Sequence, residues 1–108
     1  MEMNQYDILI VNLDPTVGSE IKKTRPCLVI SPDEMNLHLN TVVIAPVTSR
    51  SKDYPTRVPI QLDNQQNWVV IDQIRTIDKK RVLKNLGKII SSEIKEVKET
   101  IHDTYVAD

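Results

Sequence analysis

The sequence has little cysteine and glycine, and it contains no phenylalanine. Its single cysteine, Cys27, excludes an internal disulfide and a cysteine-rich zinc site, and two glycines, Gly18 and Gly87, are too few for a glycine-rich phosphate-binding loop. No apolar run approaches the roughly 20 residues of a membrane-spanning helix. Because no basic stretch precedes the first apolar run, we expect no signal peptide, no membrane association and a cytoplasmic location.

The charges nearly cancel over the whole chain but are unevenly distributed along it. The net charge is −1, and residues 91–108 carry two lysines against five acids, which leaves a net +2 for the rest. Cations cluster in two polar segments, which contain Lys22, Lys23 and Arg25 in the first and Arg50, Lys52 and Arg57 in the second. This distribution predicts two basic patches that the acidic C-terminal segment masks in the overall charge.

Apolar segments with strand-like length and composition dominate the first 90 residues. Strands are predicted at 6–13, 25–31, 41–48, 57–62, 68–77 and 86–90. The segment 25–31 is apolar almost throughout and is expected to be buried on both faces, whereas Pro59 marks 57–62 as an edge strand. A short helix is expected after the second strand, with Ser31 as its N-cap.

The period of the apolar residues changes from Ser91 onward. Ile94, Val97, Ile101 and Tyr105 recur at steps of three and four residues, which predicts an amphipathic helix capped by Ser91 or Ser92. The predicted fold class is therefore mainly β with a C-terminal helix (α+β), a small antiparallel barrel or curled sheet, in one domain over residues 1–108.

Several polar residues at the ends of predicted strands are candidates for a site. Pro26 favours an extended backbone at Arg25, so this guanidinium is held at the start of a strand, where it suits a phosphate. Thr48 and Ser49 end the third strand and offer hydroxyl groups, and Glu20 offers a possible base. Taken singly, each position also fits an ordinary surface residue, and His38 and His102 have no metal-ligand spacing.

The order of these segments resembles the MazF/PemK family of toxin-antitoxin endoribonucleases. The resemblance lies in NLDPTVGSEIKKTRPCLVISPDEMN (12–36), TVVIAPVTSRSKDYP (41–55), VVIDQIRTIDKKR (69–81) and the closing LGKI with its helix. It covers nearly the whole chain, and four motifs in series are more specific than any one of them. The resemblance implies a small SH3-like barrel that forms a homodimer and needs no cofactor or metal.

The family resemblance also implies an activity and a set of site residues. It implies cleavage of single-stranded RNA, in which the ribose 2′-hydroxyl attacks the adjacent phosphate. Arg25 and Thr48 match the catalytic pair, with Glu20 shaping the site or handling a proton. Residues expected to bind RNA are Lys22, Lys23, Ser49, Arg50, Lys52, Tyr54, Arg57, Gln73 and Arg75, where Tyr54 would stack on a base and Gln73 and Arg75 would contact base edges.

A cognate antitoxin with an acidic, partly disordered segment is the expected protein partner. Two alternatives stay open. The CcdB-like gyrase poisons share the fold but depend on a tryptophan near the C-terminus, whereas Trp68 is internal here. A barrel that binds RNA without cleaving it is the other alternative.

Overall fold

The structure is a computed structural model, and it describes residues 1–107. Within these residues the chain forms seven β-strands and two α-helices. In chain order they are β1 (Asp7–Asn12), β2 (Thr24–Val29), α1 (Asp33–His38), β3 (Thr41–Thr48), β4 (Arg57–Leu62), β5 (Gln65–Val70), β6 (Arg75–Asp78), β7 (Val82–Lys88) and α2 (Ser91–Tyr105). None of these helices is both long and apolar enough to span a membrane.

All strand pairs are antiparallel and belong to one curved sheet with the order β4-β5-β3-β2-β1-β7. Strand β3 is central, because its first half pairs with β6 while its last two residues pair with β5. Dividing one strand between two partners bends the sheet into a half-barrel. The predicted class, mainly β with a C-terminal helix in a small curved antiparallel sheet, is confirmed, and β4 is at an edge as predicted.

The sheet is buried on both faces, and alternate residues of its strands contribute to two apolar clusters. Leu28 belongs to the cluster beneath α2, whereas its neighbours Cys27 and Val29 belong to the cluster on the opposite face. All three side chains are fully buried. The expectation that 25–31 is buried on both faces is thus confirmed for residues 27–29, while Arg25, Pro26 and Ile30 are half-buried. Burial on both faces explains why residues 27–29 are continuously apolar rather than alternating.

Helix α2 packs on one face of the sheet through the predicted apolar stripe. Val97 is fully buried, and Ile94 and Ile101 pack against the same cluster. The predicted serine cap is wrong, because Ile90 precedes the first helical residue. The Glu93 carboxylate accepts the Ile90 backbone N–H at 3.3 Å and also accepts the Gln61 N–H of edge strand β4 at 2.7 Å. One side chain thus stabilises the helix start and occupies a free donor of the edge.

The serine predicted to cap α1 has a different role. Pro32 is the N-cap residue of α1, and the Ser31 hydroxyl instead donates to Asn36 and accepts the Val43 N–H at 3.0 Å. Ser31 is buried, and these bonds join the helix to β3, so tertiary contacts rather than helix capping use this side chain.

The single long strand predicted at 68–77 is also wrong. A 3-10 turn at Ile71–Gln73 separates β5 from β6, and β5 begins earlier, at Gln65. At this turn the Ile71 N–H donates to the carbonyl of Thr56, and the Tyr105 hydroxyl donates to the carbonyl of Ile71 at 2.6 Å. Contacts with two distant segments therefore interrupt an apolar run that locally resembles one strand. The last strand is longer than the predicted 86–90, since β7 begins at Val82.

Candidate active site

The register between β2 and β3 brings the two predicted catalytic residues to the same end of the sheet. The β2–β3 ladder ends with Cys27 paired to Pro46, and Arg25 and Thr48 lie two residues beyond this pair on their strands, where the same register would set them opposite each other. Both residues share the face of the sheet that points away from α2, because alternate positions on each strand belong to the opposite cluster. Residues directly opposite in an antiparallel pair have Cβ atoms about 5 Å apart, which is close enough for one ligand.

The guanidinium of Arg25 is oriented by the loop that precedes its strand. Its Nε donates to the carbonyl of Lys22 at 3.0 Å, and the side chain is half-buried. Within residues 1–107, its two terminal nitrogens form no hydrogen bond or ion pair. The fork is therefore fixed at one nitrogen and leaves its outer edge, the part that binds phosphate in two places, for a ligand.

The hydroxyl of Thr48 closes a small turn at the end of β3. It donates to the carbonyl of Arg50 at 3.1 Å and accepts the N–H of the same residue at 3.3 Å. This arrangement keeps the oxygen at the strand end, but its proton is directed to the protein in the free state. A rotation about the C–O bond is enough to direct the proton to an anion instead.

Glu20 lies in the loop between β1 and β2, and about half of its side chain is exposed. One carboxylate oxygen accepts the Val17 N–H at 3.2 Å, and the other lies 3.8 Å from Nη1 of Arg75. This Nη1 atom is buried and has no hydrogen-bond partner among the described residues. Glu20 and Arg75 also line a cavity of about 250 Å³ together with Gln73.

Gln73 contacts the same loop directly. Its side-chain oxygen accepts the Ile21 N–H at 3.0 Å, a contact that joins the 3-10 turn to the β1–β2 loop. Because a backbone N–H needs an acceptor, the amide oxygen faces Ile21 and the NH₂ group points away from it. The structure thus brings Gln73, Glu20 and Arg75 together, and it gives the oxygen of Gln73 a partner within the protein.

The guanidinium of Arg57 is not free, because it is paired with a carboxylate. Its Nε and Nη2 donate to the two oxygens of Asp72 at 2.9 and 3.3 Å, and Thr56 adds a third bond to Asp72 at 2.9 Å. The guanidinium carbon lies 5.5 Å from the centre of the Tyr54 ring. Burial alone raises the pKa of Asp72, but the bonds from Arg57 and Thr56 outweigh it, so the pKa is lowered from 3.8.

The other predicted RNA-binding residues lie at the surface of the two polar loops. In the part of the chain that the structure describes, none of the cations among them forms an ion pair. This exposed set consists of Lys22, Lys23, Ser49, Arg50 and Lys52. Lys23 has a positive φ of 71°, and its backbone N–H donates to Asp14, so this lysine also shapes the loop. An accessible cationic surface therefore flanks Arg25 and Thr48.

The one thiol and the two imidazole groups of the chain have no part in the candidate site. Burial raises the pKa of the Cys27 thiol to about 12, against the opposing charges of Arg75 and Arg25. Such a thiol is not a nucleophile at neutral pH. His38 and His102 are exposed on helices, next to Glu34 and Asp103 respectively.

Sequence reasoning did not assign Trp68 to the site. This half-buried residue pairs with Thr48 across the β3–β5 register, so it adjoins the candidate catalytic end of the sheet. The signal in the sequence was a lone tryptophan in a strand pattern, which gives no indication of its cross-strand partner.

Comparisons with known proteins agree with this fold. The family described as "PemK-like, MazF-like toxin of type II toxin-antitoxin system" matches residues 4–105. A protein named "Endoribonuclease MazF" from Staphylococcus saprophyticus is 31% identical over 105 residues, which are 92% of this chain and 88% of the relative. The crystal structure of MazF from Deinococcus radiodurans has a TM-score of 0.84 and 27% identity and covers 95% of this chain and 96% of its own.

A crystal structure of MazE-MazF from Deinococcus radiodurans has a TM-score of 0.78 and 26% identity, and covers 95% of each chain. The fold and the family match together identify a toxin built on a curved antiparallel sheet. The chain belongs to the PemK-like, MazF-like family of type II toxin-antitoxin toxins. Membership of this endoribonuclease toxin family confirms the predicted family and enzyme class.

Proposed function

We propose that this chain cleaves single-stranded RNA internally, at short specific sequences and without a metal ion, as the toxin of a toxin-antitoxin pair. The observation that carries the proposal is that Arg25, with its free outer edge, and Thr48 lie two residues beyond the Cys27–Pro46 pair, at the same end of the sheet. The name of the Staphylococcus relative supports RNA as the substrate. The proposal takes residues 1–108 as a single toxin domain, which the one continuous sheet supports, and places it in the cytoplasm.

In the proposed reaction the ribose 2′-oxygen attacks the adjacent phosphorus and the bond from phosphorus to the 5′-oxygen breaks. The products are a 2′,3′-cyclic phosphate and a 5′-hydroxyl, and the proton lost by the 2′-hydroxyl balances the one gained by the leaving oxygen. The nucleophile belongs to the substrate and is already next to the phosphorus. The protein has mainly to orient the strand and to stabilise the negative charge that develops on the phosphoryl oxygens.

Arg25 is assigned to stabilise the negative charge on the phosphoryl oxygens, because the Lys22 carbonyl holds its guanidinium while the terminal nitrogens remain available. Thr48 donates a further hydrogen bond once its hydroxyl turns away from Arg50. Arginine side chains stay protonated in proteins, so Arg25 does not suit the role of base. Glu20, a half-exposed carboxylate on the same loop, is assigned to accept the 2′-hydroxyl proton.

RNA binding is assigned to the exposed residues of the two loops. Phosphate contacts from Lys22, Lys23, Arg50 and Lys52 position the strand, while Ser49, Tyr54 and Arg75 contact the bases. Arg57 is assigned a supporting role, since its guanidinium bonds Asp72 and lies over the Tyr54 ring. It orders the loop that presents Tyr54 to a base.

The proposed protein partners are an antitoxin and a second copy of this chain. The cationic loops suit an acidic, partly disordered antitoxin segment, and a MazE-MazF complex is among the similar structures. A homodimer is supported by β7, which pairs with β1 on one side and exposes Leu83 and Leu86. Sedimentation at micromolar concentration should give about twice the chain mass of 12.4 kDa. A monomer under these conditions would exclude the dimer.

The direct test is single-turnover cleavage of a fluorogenic oligonucleotide in EDTA. Arg25→Ala should slow cleavage about 100-fold or more, because the lost bonds strengthen as charge develops in the transition state. Arg25→Lys should not restore the rate, since it keeps the charge but loses the fork, and Thr48→Val should also slow cleavage. Lys95→Ala is the matched control, because it removes a cation from α2 on the other side of the sheet.

A second substrate tests the nucleophile itself. Replacing the 2′-hydroxyl by hydrogen at the cleaved nucleotide should abolish cleavage while the oligonucleotide still binds. Thermal melts establish that each variant is folded. A folded Arg25→Ala variant with the wild-type rate would remove the proposed active site and favour a barrel that binds RNA without cleaving it.

A further inference from the structure

The contact between Gln73 and Ile21 links a rigid part of the sheet to the loop that holds Arg25. The turn that carries Gln73 is well supported, because Ile71 is fully buried and its carbonyl accepts the Tyr105 hydroxyl at 2.6 Å. The loop, by contrast, lies at the surface, and Lys22 is exposed. A bond from the turn to the Ile21 N–H at 3.0 Å therefore fixes a point of the loop against a rigid support.

That point lies one residue away from the group that orients Arg25. The Ile21 N–H is bound by Gln73, and the carbonyl of the next residue, Lys22, accepts Nε of Arg25 at 3.0 Å. Two hydrogen bonds and a short stretch of backbone thus connect the Gln73 oxygen to the guanidinium. If the first bond is lost, the Lys22–Lys23 peptide group keeps only its bond to Asp14, the residue before it is no longer fixed, and the fork is oriented less firmly.

The other supports of the loop act elsewhere on it. Arg81 donates to the carbonyls of Asn12 and Asp14 at the start of the loop, and the Leu13 N–H donates to the Lys23 carbonyl near its end. These bonds do not reach Ile21 or Lys22, whereas the Lys23 N–H, in the same peptide group as the Lys22 carbonyl, donates to Asp14 at 2.9 Å. Gln73 and Asp14 thus hold the two ends of this short segment. Glu20 approaches Arg75 only to 3.8 Å, which is longer than a hydrogen bond.

We infer that Gln73 is a positioning residue for Arg25, acting through the Ile21–Lys22 segment of the β1–β2 loop. The inference rests on the proposed cleavage of RNA and adds to it a residue that sets the orientation of the charge-stabilising group. It competes with the direct reading of a base by Gln73, which would use the NH₂ group of the same side chain. The two roles depend on different atoms, so substitutions can separate them.

Two substitutions divide the functions of the side chain. Gln73→Met keeps its length and volume but removes both the acceptor and the donor, whereas Gln73→Glu keeps an oxygen for the Ile21 N–H and removes the NH₂ donor. A positioning role predicts a saturated rate roughly 10- to 100-fold lower for Gln73→Met, with little change in KM. It predicts that Gln73→Glu retains most of the saturated rate and the wild-type cleavage sequence.

A double-mutant cycle with Arg25→Ala distinguishes a positioning role from a general effect on the structure. The cleavage rates of the two single variants are compared with the rate of the double variant. If Gln73 acts through Arg25, the variant with both Arg25→Ala and Gln73→Met should cleave no more slowly than Arg25→Ala alone. Gln61→Met is the matched control, since Gln61 has an exposed side chain on β4, and it should leave the rate unchanged.

Each result either supports or overturns the inference. Multiplicative losses in the double mutant, a wild-type rate in Gln73→Met, or a changed cleavage sequence in Gln73→Glu would overturn it, the last in favour of base reading. If Gln73→Met fails to melt cooperatively, the Gln73→Glu rate and cleavage sequence decide alone. Failure of the proposed function appears separately, as an Arg25→Ala variant that cleaves at the wild-type rate.

Discussion

The ion pair between Arg57 and Asp72 allows a quantitative test of what this arginine does. Arg57→Met keeps the apolar stem and removes the guanidinium, whose two bonds to Asp72 are 2.9 and 3.3 Å long. Exposed ion pairs contribute about 0.2–1 kcal/mol, and a bidentate pair with one largely buried partner lies at or above the upper end. Side-chain exposure is 18% for Arg57 and 38% for Asp72, so we expect a loss of roughly 1–2 kcal/mol.

The loss should appear as a lower melting temperature. A change of 1 kcal/mol shifts Tm by about 4–8 °C in a domain of this size, so Arg57→Met should melt roughly 5–10 °C below the wild type at pH 7. Differential scanning fluorimetry measures this shift, and urea unfolding gives the free energy directly. Equal melting temperatures for the two proteins at pH 7 would refute the structural role assigned to this pair.

The pH dependence of the pair has a definite sign. The folded-state pKa of Asp72 is lowered from 3.8, because the bonds from Arg57 and Thr56 outweigh the effect of burial. The stability contributed by the ionised carboxylate is therefore complete above pH 3.8 and is lost as the pH falls through the lower, folded-state pKa. The Tm difference between wild type and Asp72→Asn should be largest near neutral pH and shrink below pH 3.8. A difference that is independent of pH would contradict this assignment.

The Arg57→Met variant also shows whether this arginine has a structural role or contacts a phosphate of the RNA. A residue that binds phosphate lowers the salt slope of RNA binding by about one when it is removed. We expect this reduction for Arg50→Ala, whose side chain is exposed, and an unchanged slope for Arg57→Met. An unchanged Tm together with a lower slope in Arg57→Met would show that this arginine contacts the RNA rather than Asp72.

Two further predictions concern the core. Because burial raises the pKa of Cys27 to about 12, only about one thiol in 10⁴ is ionised at pH 8. A thiol reagent should therefore label the native protein no faster than the protein unfolds. Complete labelling of the native state within minutes would refute this. Val97, on α2, is fully buried against the sheet, so Val97→Ala should lower the free energy of unfolding by roughly 1.5–2.5 kcal/mol. Val106→Ala, at an exposed position, should change it by less than about 0.5 kcal/mol. Equal urea midpoints for these two variants would contradict the docking of α2.

Features that depend on neighbouring residues were predictable from the sequence. The strands at 41–48 and 57–62 have the predicted bounds, because the β-branched and apolar residues in each run and the turn residues around it act locally. The apolar stripe of α2 was predictable for the same reason, since a period of 3.6 residues brings Ile94, Val97 and Ile101 to one face. The order of the motifs likewise predicted the family, because a comparison of motifs does not require knowledge of tertiary contacts.

The bond partners of the site residues were decided by the tertiary structure. Arg57 and Arg25 are similar in sequence, since each leads a strand after a polar loop, yet Arg57 bonds Asp72, which lies 15 residues away, and Arg25 leaves its outer edge free. Gln73 is separated from Ile21 by 52 residues, and Trp68 meets Thr48 only through strand pairing. Register and turn geometry set such contacts, and these arise when distant strands pack into one sheet, so residue types alone do not determine which polar groups remain available for a substrate.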